Sequence, residues 1–395
     1  MDHHQYRQAL AVEHAGSELP FAAEEFDRRL ARARDAMQRQ GLDALLLCQA
    51  ADIFYLCGYH TFEVSVHAAL VVTPSRTLLQ VASIETGPAV VTARVDEVVG
   101  YRWEALDEVI DPLADALADS HDIGIDGSSS GLRFGLMRHL QGRLGGDRFH
   151  DRAGGLMASL RLVKSDAELD CLTRSAKMTS LGLARAIEVV EPGVTDNQVA
   201  AVGAQVMLEA GSEFFSLAPI VTSGSRSGII HVNHKRRGIA SGDAVFLEFG
   251  AVWQRYTAPT MRTVVVGPIS DEMRLAADLC VEMEARMCEA MTPGTPFEDV
   301  ARLADAILAP HRERFFHSGV YGYAVGAQFP PSWVEGTGFL AAGQTTPLAR
   351  NMVFHLPLCL RLPGGFGIGL SNTVRVTDRG AMRLTDHDMA LVHRP

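Results

Sequence analysis

SGDAVFLEFG, residues 241–250, decides how the second half of this chain is read. A Ser-Gly-Asp turn runs into an apolar stretch, Ala244 to Phe249, interrupted only by Glu248. Such a run predicts a buried strand, and a carboxyl inside it is costly without a partner or a task. Four further segments follow in fixed order: RYTAPTMRT (255–263), GYAVG (322–326), NMVFHLP (351–357) and GLSNTVRVT (369–377).

Working outward, two helical stretches precede this frame, AELDCLTRSAKMTSLGLARAIEVV (167–190) and NQVAAVGAQVMLEAG (197–211). Two more, DEMRLAADLCVEMEARMCEAM (271–291) and FEDVARLADAILAPH (297–311), lie between its second and third segments. PGVTDNQVA and PGTPFEDVA open the second helix of each pair, so helix, helix, strand, strand occurs twice, an internal repeat. Upstream, EEFDRRLARARDAMQRQ (24–40) spaces Phe26, Leu30 and Met37 on one helical face before the strand-like GLDALLLC (41–48). LVVT, TLLQVA and EVVGYR continue as strands, with ALDEVIDPLADALA helical, which predicts an α/β domain. Ser165, with Glu168 three residues on, starts a helix. The boundary is therefore expected near Leu162–Asp166, giving domains 1–162 and 163–395.

The 395 residues are ample for two cores, and 36 basic against 47 acidic residues leave a net charge of −11. No block of Lys and Arg offers a phosphate-binding surface, so nucleic acid is excluded as the expected partner. Six scattered cysteines without a Cys-x-x-Cys pair read as buried thiols in a reducing compartment. Neither a secretory leader nor an apolar run of membrane-spanning length is recognised, so a cytoplasmic protein with no membrane partner is expected.

The ordered motifs resemble the pita-bread superfamily of methionine aminopeptidase, prolidase, aminopeptidase P and creatinase. The resemblance implies an α/β N-terminal creatinase-like domain followed by an α+β pita-bread catalytic domain with a pseudo-twofold repeat. In its metallopeptidase branch Asp, Asp, His, Glu and Glu hold two metal ions. Motif on motif, those positions here read Glu248, Pro259, Tyr323, Pro357 and Ser371. Two prolines supply no side-chain donor, so a metal-free member without a cofactor is expected.

Within the superfamily the match is best to ectoine hydrolase and more distant to creatinase. It rests on Glu248, Arg255-Tyr256-Thr257-Ala258-Pro259, Arg262-Thr263, Gly322-Tyr323-Ala324-Val325-Gly326, Pro331-Ser332-Trp333-Val334-Glu335 and Met352-Val353-Phe354-His355, with ADIFYLCGYHTF (51–62) near the N-terminus. The resemblance implies that His231, twelve residues before Asp243, shuttles a proton, a task suited to imidazole. Glu248 would activate water or attack carbon. Tyr323, Trp333, Glu335, His355 and Asn372 would bind substrate, and Phe62 would close the partner's site in a homodimer. Arg262 is expected behind the site rather than on the ligand. There are two departures, His234 for Trp and Ser371-Asn372-Thr373 for Ser-Glu-Thr, and the second removes a carboxylate from the expected ligand surface.

The expected activity is metal-independent hydrolysis of a C–N bond in a small cyclic amidine. The alternatives are a creatinase-like amidinohydrolase or a hydrolase of another small heterocycle, an Xaa-Pro metallopeptidase, and an inactive binding protein. GSSSG (127–131) fits a nucleophile elbow literally, but three serines between glycines also make an ordinary turn. GGFGIG (364–369) lacks the Lys-Ser/Thr of a phosphate loop.

Overall fold

A computed structural model describes residues 3–229 and 231–395. The chain forms two compact units, Met1–Arg161 and Leu162–Pro395.

The first unit is built on a six-stranded sheet in the order Glu97–Tyr101, Thr77–Ala82, Ala69–Val72, Ala44–Leu47, Ile123–Ile125, Phe149–Asp151. Its central strand pairs antiparallel with Ala69–Val72 and parallel with Ile123–Ile125. Side chains alternate across a strand, and here both faces are covered. Leu45 and Leu47 pack with Met37, Tyr55 and Leu156 on one side, Ala44 and Leu46 with Leu113, Met137 and Leu140 on the other. Burial on both faces explains why ALLL is an unbroken apolar run instead of an alternating one. The helix Ala23–Gln40 buries Phe26 and Met37, with Leu30 partly covered, and ends at Gly41 in the left-handed region, φ 66°.

In the second unit, a four-stranded sheet runs Val392–Arg394, Thr260–Val266, Ala244–Phe249, Ile220–Ser223. A five-stranded sheet runs Val334–Leu340, Gly322–Val325, Val353–His355, Thr373–Thr377, Gly380–Arg383. Each is backed by one helix pair. Asp166–Glu188 and Asp196–Glu209 lay Met178, Leu183, Val199 and Met207 against Val245, Leu247 and Phe249. Asp271–Ala290 and Phe297–Leu308 lay Met283, Met287, Val300 and Ala304 against Phe354, Val374 and Val376. The repeat read in the sequence is thus two helix-backed sheets.

Local signals start these helices. Ser165 accepts from the Glu168 amide while the Glu168 carboxylate accepts from the Ser165 amide, and Thr195 with Gln198 repeats the box. Gly203 lets the helix approach the sheet closely, since a Cβ there would lie 2.2 Å from the Phe249 ring. The hairpin Leu358–Leu362/Phe366–Leu370 joins the first sheet through Thr263, whose hydroxyl donates to the Gly369 carbonyl and accepts from its amide. Among the described residues no helix is long and apolar enough to cross a membrane.

Candidate active site

Glu248 lies on the strand Ala244–Phe249, opposite Met261 on one neighbour and Ile220 on the other. Strand alternation puts it on the face of Phe246, away from the helices. That face carries a small apolar cluster of Ile220, Phe246, Met261 and Cys359. Glu248 is 4% exposed, and its carboxyl has no hydrogen bond or ion pair among the described residues. Burial alone pushes its pKa up to about 8.

The two arginines that could have neutralised it are engaged elsewhere. Arg255 donates to the carbonyls of Phe214 and Gln328 and to Ser216 Oγ, its guanidinium 3.7 Å from the Phe214 ring centre. Arg262 donates to the carbonyls of Met261, Ser371, His387 and Asp388. Arg262 is therefore held by backbone carbonyls.

Beside Glu248 runs a continuous polar chain. Trp333 Nε1 donates to Tyr323 Oη at 2.9 Å, and Tyr323 Oη lies 2.7 Å from His355 Nδ1. His355 Nε2 lies 2.6 Å from Ser371 Oγ, which accepts from the Met261 amide at 2.7 Å. Sheet register aligns it: Tyr323 and His355 face each other across antiparallel strands, their rings edge to face at 5.1 Å. Trp333, His355 and Ser371 are buried, while Tyr323 retains partial exposure. Burial, reinforced by Arg262, lowers His355 to about 3, so the imidazole is neutral. Burial, reinforced by Glu248, raises Tyr323 well above its ordinary value, so the phenol keeps its proton.

Other expected residues fall differently. Glu335 forms a buried ion pair with Lys164 at 2.7 Å and accepts from Thr337 Oγ1 at 2.8 Å. A Cβ at Gly326 would sit 2.3 Å from Glu335 Oε1, so that glycine makes room for the carboxylate. Glu335 is thereby an internal ion-pair partner instead of a substrate contact. Asn372 also requires correction. Its Oδ1 accepts from Arg262 and Thr385 Oγ1, and its Nδ2 donates to Glu284, which also pairs with Arg383. With 0% exposure, Asn372 braces a strand, a helix and the loop at Thr385 and presents nothing to a ligand.

His231 is exposed, at φ 53°, and has no hydrogen bond among the described residues. Phe62, in the first unit, is 77% exposed. Sequence reasoning missed Lys164 as the partner of Glu335 and Ser371 as the partner of His355. Ser371 was visible as a serine inside the last motif; nothing local marked Lys164.

Two family models match this chain: metallopeptidase family M24 over residues 170–378, and the creatinase/prolidase N-terminal domain over 29–163. The chain belongs to metallopeptidase family M24. The uncharacterized hydrolase/peptidase y4tL of Sinorhizobium fredii is 30% identical over 381 residues, 92% of this chain and 95% of the relative. Ectoine hydrolase of Halomonas elongata is 24% identical over 404 residues, 93% and 97% of the two chains. The solved prolidase of Pyrococcus horikoshii superposes with a TM-score of 0.80 at 23% identity, covering 92% of this chain and 100% of that one. Together they establish the two-domain pita-bread fold.

The M24 family name implies metal, and the donors here do not fit a dinuclear centre. Among the described residues no three His, Cys, Asp or Glu side chains converge to hold an ion. Both His355 nitrogens are taken by hydroxyls, Glu335 is taken by Lys164, and Glu248 stands alone.

Proposed function

We propose that this M24 protein hydrolyses a C–N bond in small polar molecules without a metal ion, with cyclic amidines of the ectoine type as the substrate class. The observation that carries the reading is Glu248, a 4%-exposed carboxyl without a counter-charge among the described residues, beside an apolar cluster. An amidinium cation supplies the charge that the site lacks, and pairing lowers the pKa of the carboxyl toward the ionised form. The 24% identity to ectoine hydrolase over nearly the whole chain supports the same substrate class.

In the proposed reaction, water oxygen bonds to the amidine carbon as one C–N bond breaks. The oxygen becomes the amide carbonyl, and both water protons finish on the departing nitrogen, which leaves as an ammonium group. Glu248 accepts the first proton as water attacks, a role suited to a carboxyl whose pKa lies near working pH. His231 serves as the solvent-facing proton shuttle. Tyr323, held by Trp333 and His355, contacts the ligand.

The test is incubation with ectoine, hydroxyectoine, creatine and an Xaa-Pro dipeptide, with chelator and with added divalent metal, followed by mass spectrometry. A ring-opened product one water heavier, formed in chelator, is the expected result. Dipeptide cleavage only with metal would replace this reading by a peptidase. Saturable binding without product would replace it by a binding protein.

A further inference from the structure

The hydrogen-bonded chain beside Glu248 contains a counting problem whose solution assigns a role. Its two ends are donors only: an indole N–H and the Met261 backbone N–H. Between them lie three groups with one proton each, the Tyr323 hydroxyl, the neutral His355 imidazole and the Ser371 hydroxyl. The links Tyr323–His355 and His355–Ser371 consume one proton apiece. One proton is left over.

Because neutral imidazole carries its proton on a single nitrogen, only two arrangements satisfy both links. In one, Tyr323 donates to Nδ1, Nε2 donates to Ser371, and the surplus proton is on Ser371. In the other, Ser371 donates to Nε2, Nδ1 donates to Tyr323, and the surplus proton is on Tyr323. Burial distinguishes them. Ser371 is 0% exposed, and among the described residues its Oγ bonds only to the Met261 amide and His355. A surplus proton there has no acceptor, which is penalised. Tyr323 is the one member of the chain that is only partly buried, and Glu248 lies near enough to act electrostatically on its phenol.

We propose that Tyr323 is a catalytic hydrogen-bond donor, aimed into the Glu248 site because Trp333 and His355 both donate to its oxygen. His355 and Ser371 are positioning residues, acting through the Nδ1–H tautomer. Resting on the hydrolase reading above, this assigns the Tyr323 hydroxyl to the water-derived oxygen as negative charge develops on it, the role of an oxyanion-hole donor. Ser371, at a position where the family's metallopeptidases carry a ligand carboxylate, here sets a tautomer.

The tautomer can be read without a substrate. In protein labelled with ¹⁵N-histidine, nitrogen shifts and two-bond couplings report which ring nitrogen carries the proton, and loss of a signal in His355→Gln, or its movement in Ser371→Ala, assigns the resonance. We expect Nδ1–H for His355 at neutral pH. Nε2–H would overturn the proposal whatever the enzyme's activity. On the substrate identified by the screen, Tyr323→Phe is expected to lose about 10²–10³ in kcat with KM little changed. Ser371→Ala is expected to lose about tenfold in kcat, short of Tyr323→Phe, with an unaltered circular-dichroism spectrum. A Tyr323→Phe enzyme with wild-type kcat overturns the catalytic assignment. If the wild type hydrolyses no compound in the screen, the hydrolase reading falls, and the tautomer alone decides whether Tyr323 is the donor of this site.

Discussion

Burial lifts the Glu248 carboxyl to about 8, so near neutrality the folded protein holds a proton there that the unfolded chain, with an ordinary carboxyl near 4.5, has released. Stability from this group is complete below about 4.5 and is lost as pH rises through about 8. Glu248→Gln, neutral at every pH, should therefore melt with the wild type near about pH 5 and above it near about pH 9. Thermal scans across that range check this, and curves that stay parallel would place a counter-charge at Glu248. The same variant should lose most turnover, whereas wild-type kcat/KM should rise with pH along a limb near 8, the free-enzyme value. Glu248 was legible because a charge inside an apolar run is conspicuous. Asn372 was misread because a buried strut and a ligand contact look alike in sequence, and its partner Glu284 lies 88 residues away. Asn372→Ala should accordingly cost about 1–3 kcal/mol in denaturant unfolding and leave KM unchanged.

Between elements, the buried pair Lys164–Glu335 ties the segment entering the helix Asp166–Glu188 to the strand Val334–Leu340. Lys164→Met removes a cation from beside a buried carboxylate and should cost about 3–5 kcal/mol. Adding Glu335→Gln should return part of that loss, since the carboxylate charge goes with it. Chemical unfolding of the single and double variants tests this, and additive losses would show that the two side chains do not interact. The helix start beside this pair could be read directly, because Ser165 and Glu168 form a box within one turn. The ion pair could not, because its partners are 171 residues apart and no periodicity links them. The apolar runs announced strands, yet which polar residues between them would meet depended on register. Tyr323 opposite His355 is a property of strand pairing that neither segment states alone.

At the scale of the whole molecule, Phe62 at 77% exposed is a large apolar side chain left in solvent by its own unit. Isolated exposed hydrophobics are common, so exposure alone does not require a partner. The resemblance of 51–62 to the creatinase-like pattern supports a homodimer in which Phe62 reaches the partner's site. Light scattering should give twice the chain mass, and Phe62→Ala should weaken substrate binding more than thermal stability. A monomer, or unchanged kinetics, would remove the shared site. The strand Val392–Arg394 raises a different matter of assembly. It lies parallel against Thr260–Val266, the strand that carries Met261 and Arg262. Without it, the amides and carbonyls of Val264–Val266 would form an open sheet edge, a template onto which another chain can add. A protein shortened before Val392 should therefore fail by aggregation, visible as rising turbidity at working concentration. Those few residues exchange a seven-residue edge for a three-residue one, a much shorter template for fibrous growth.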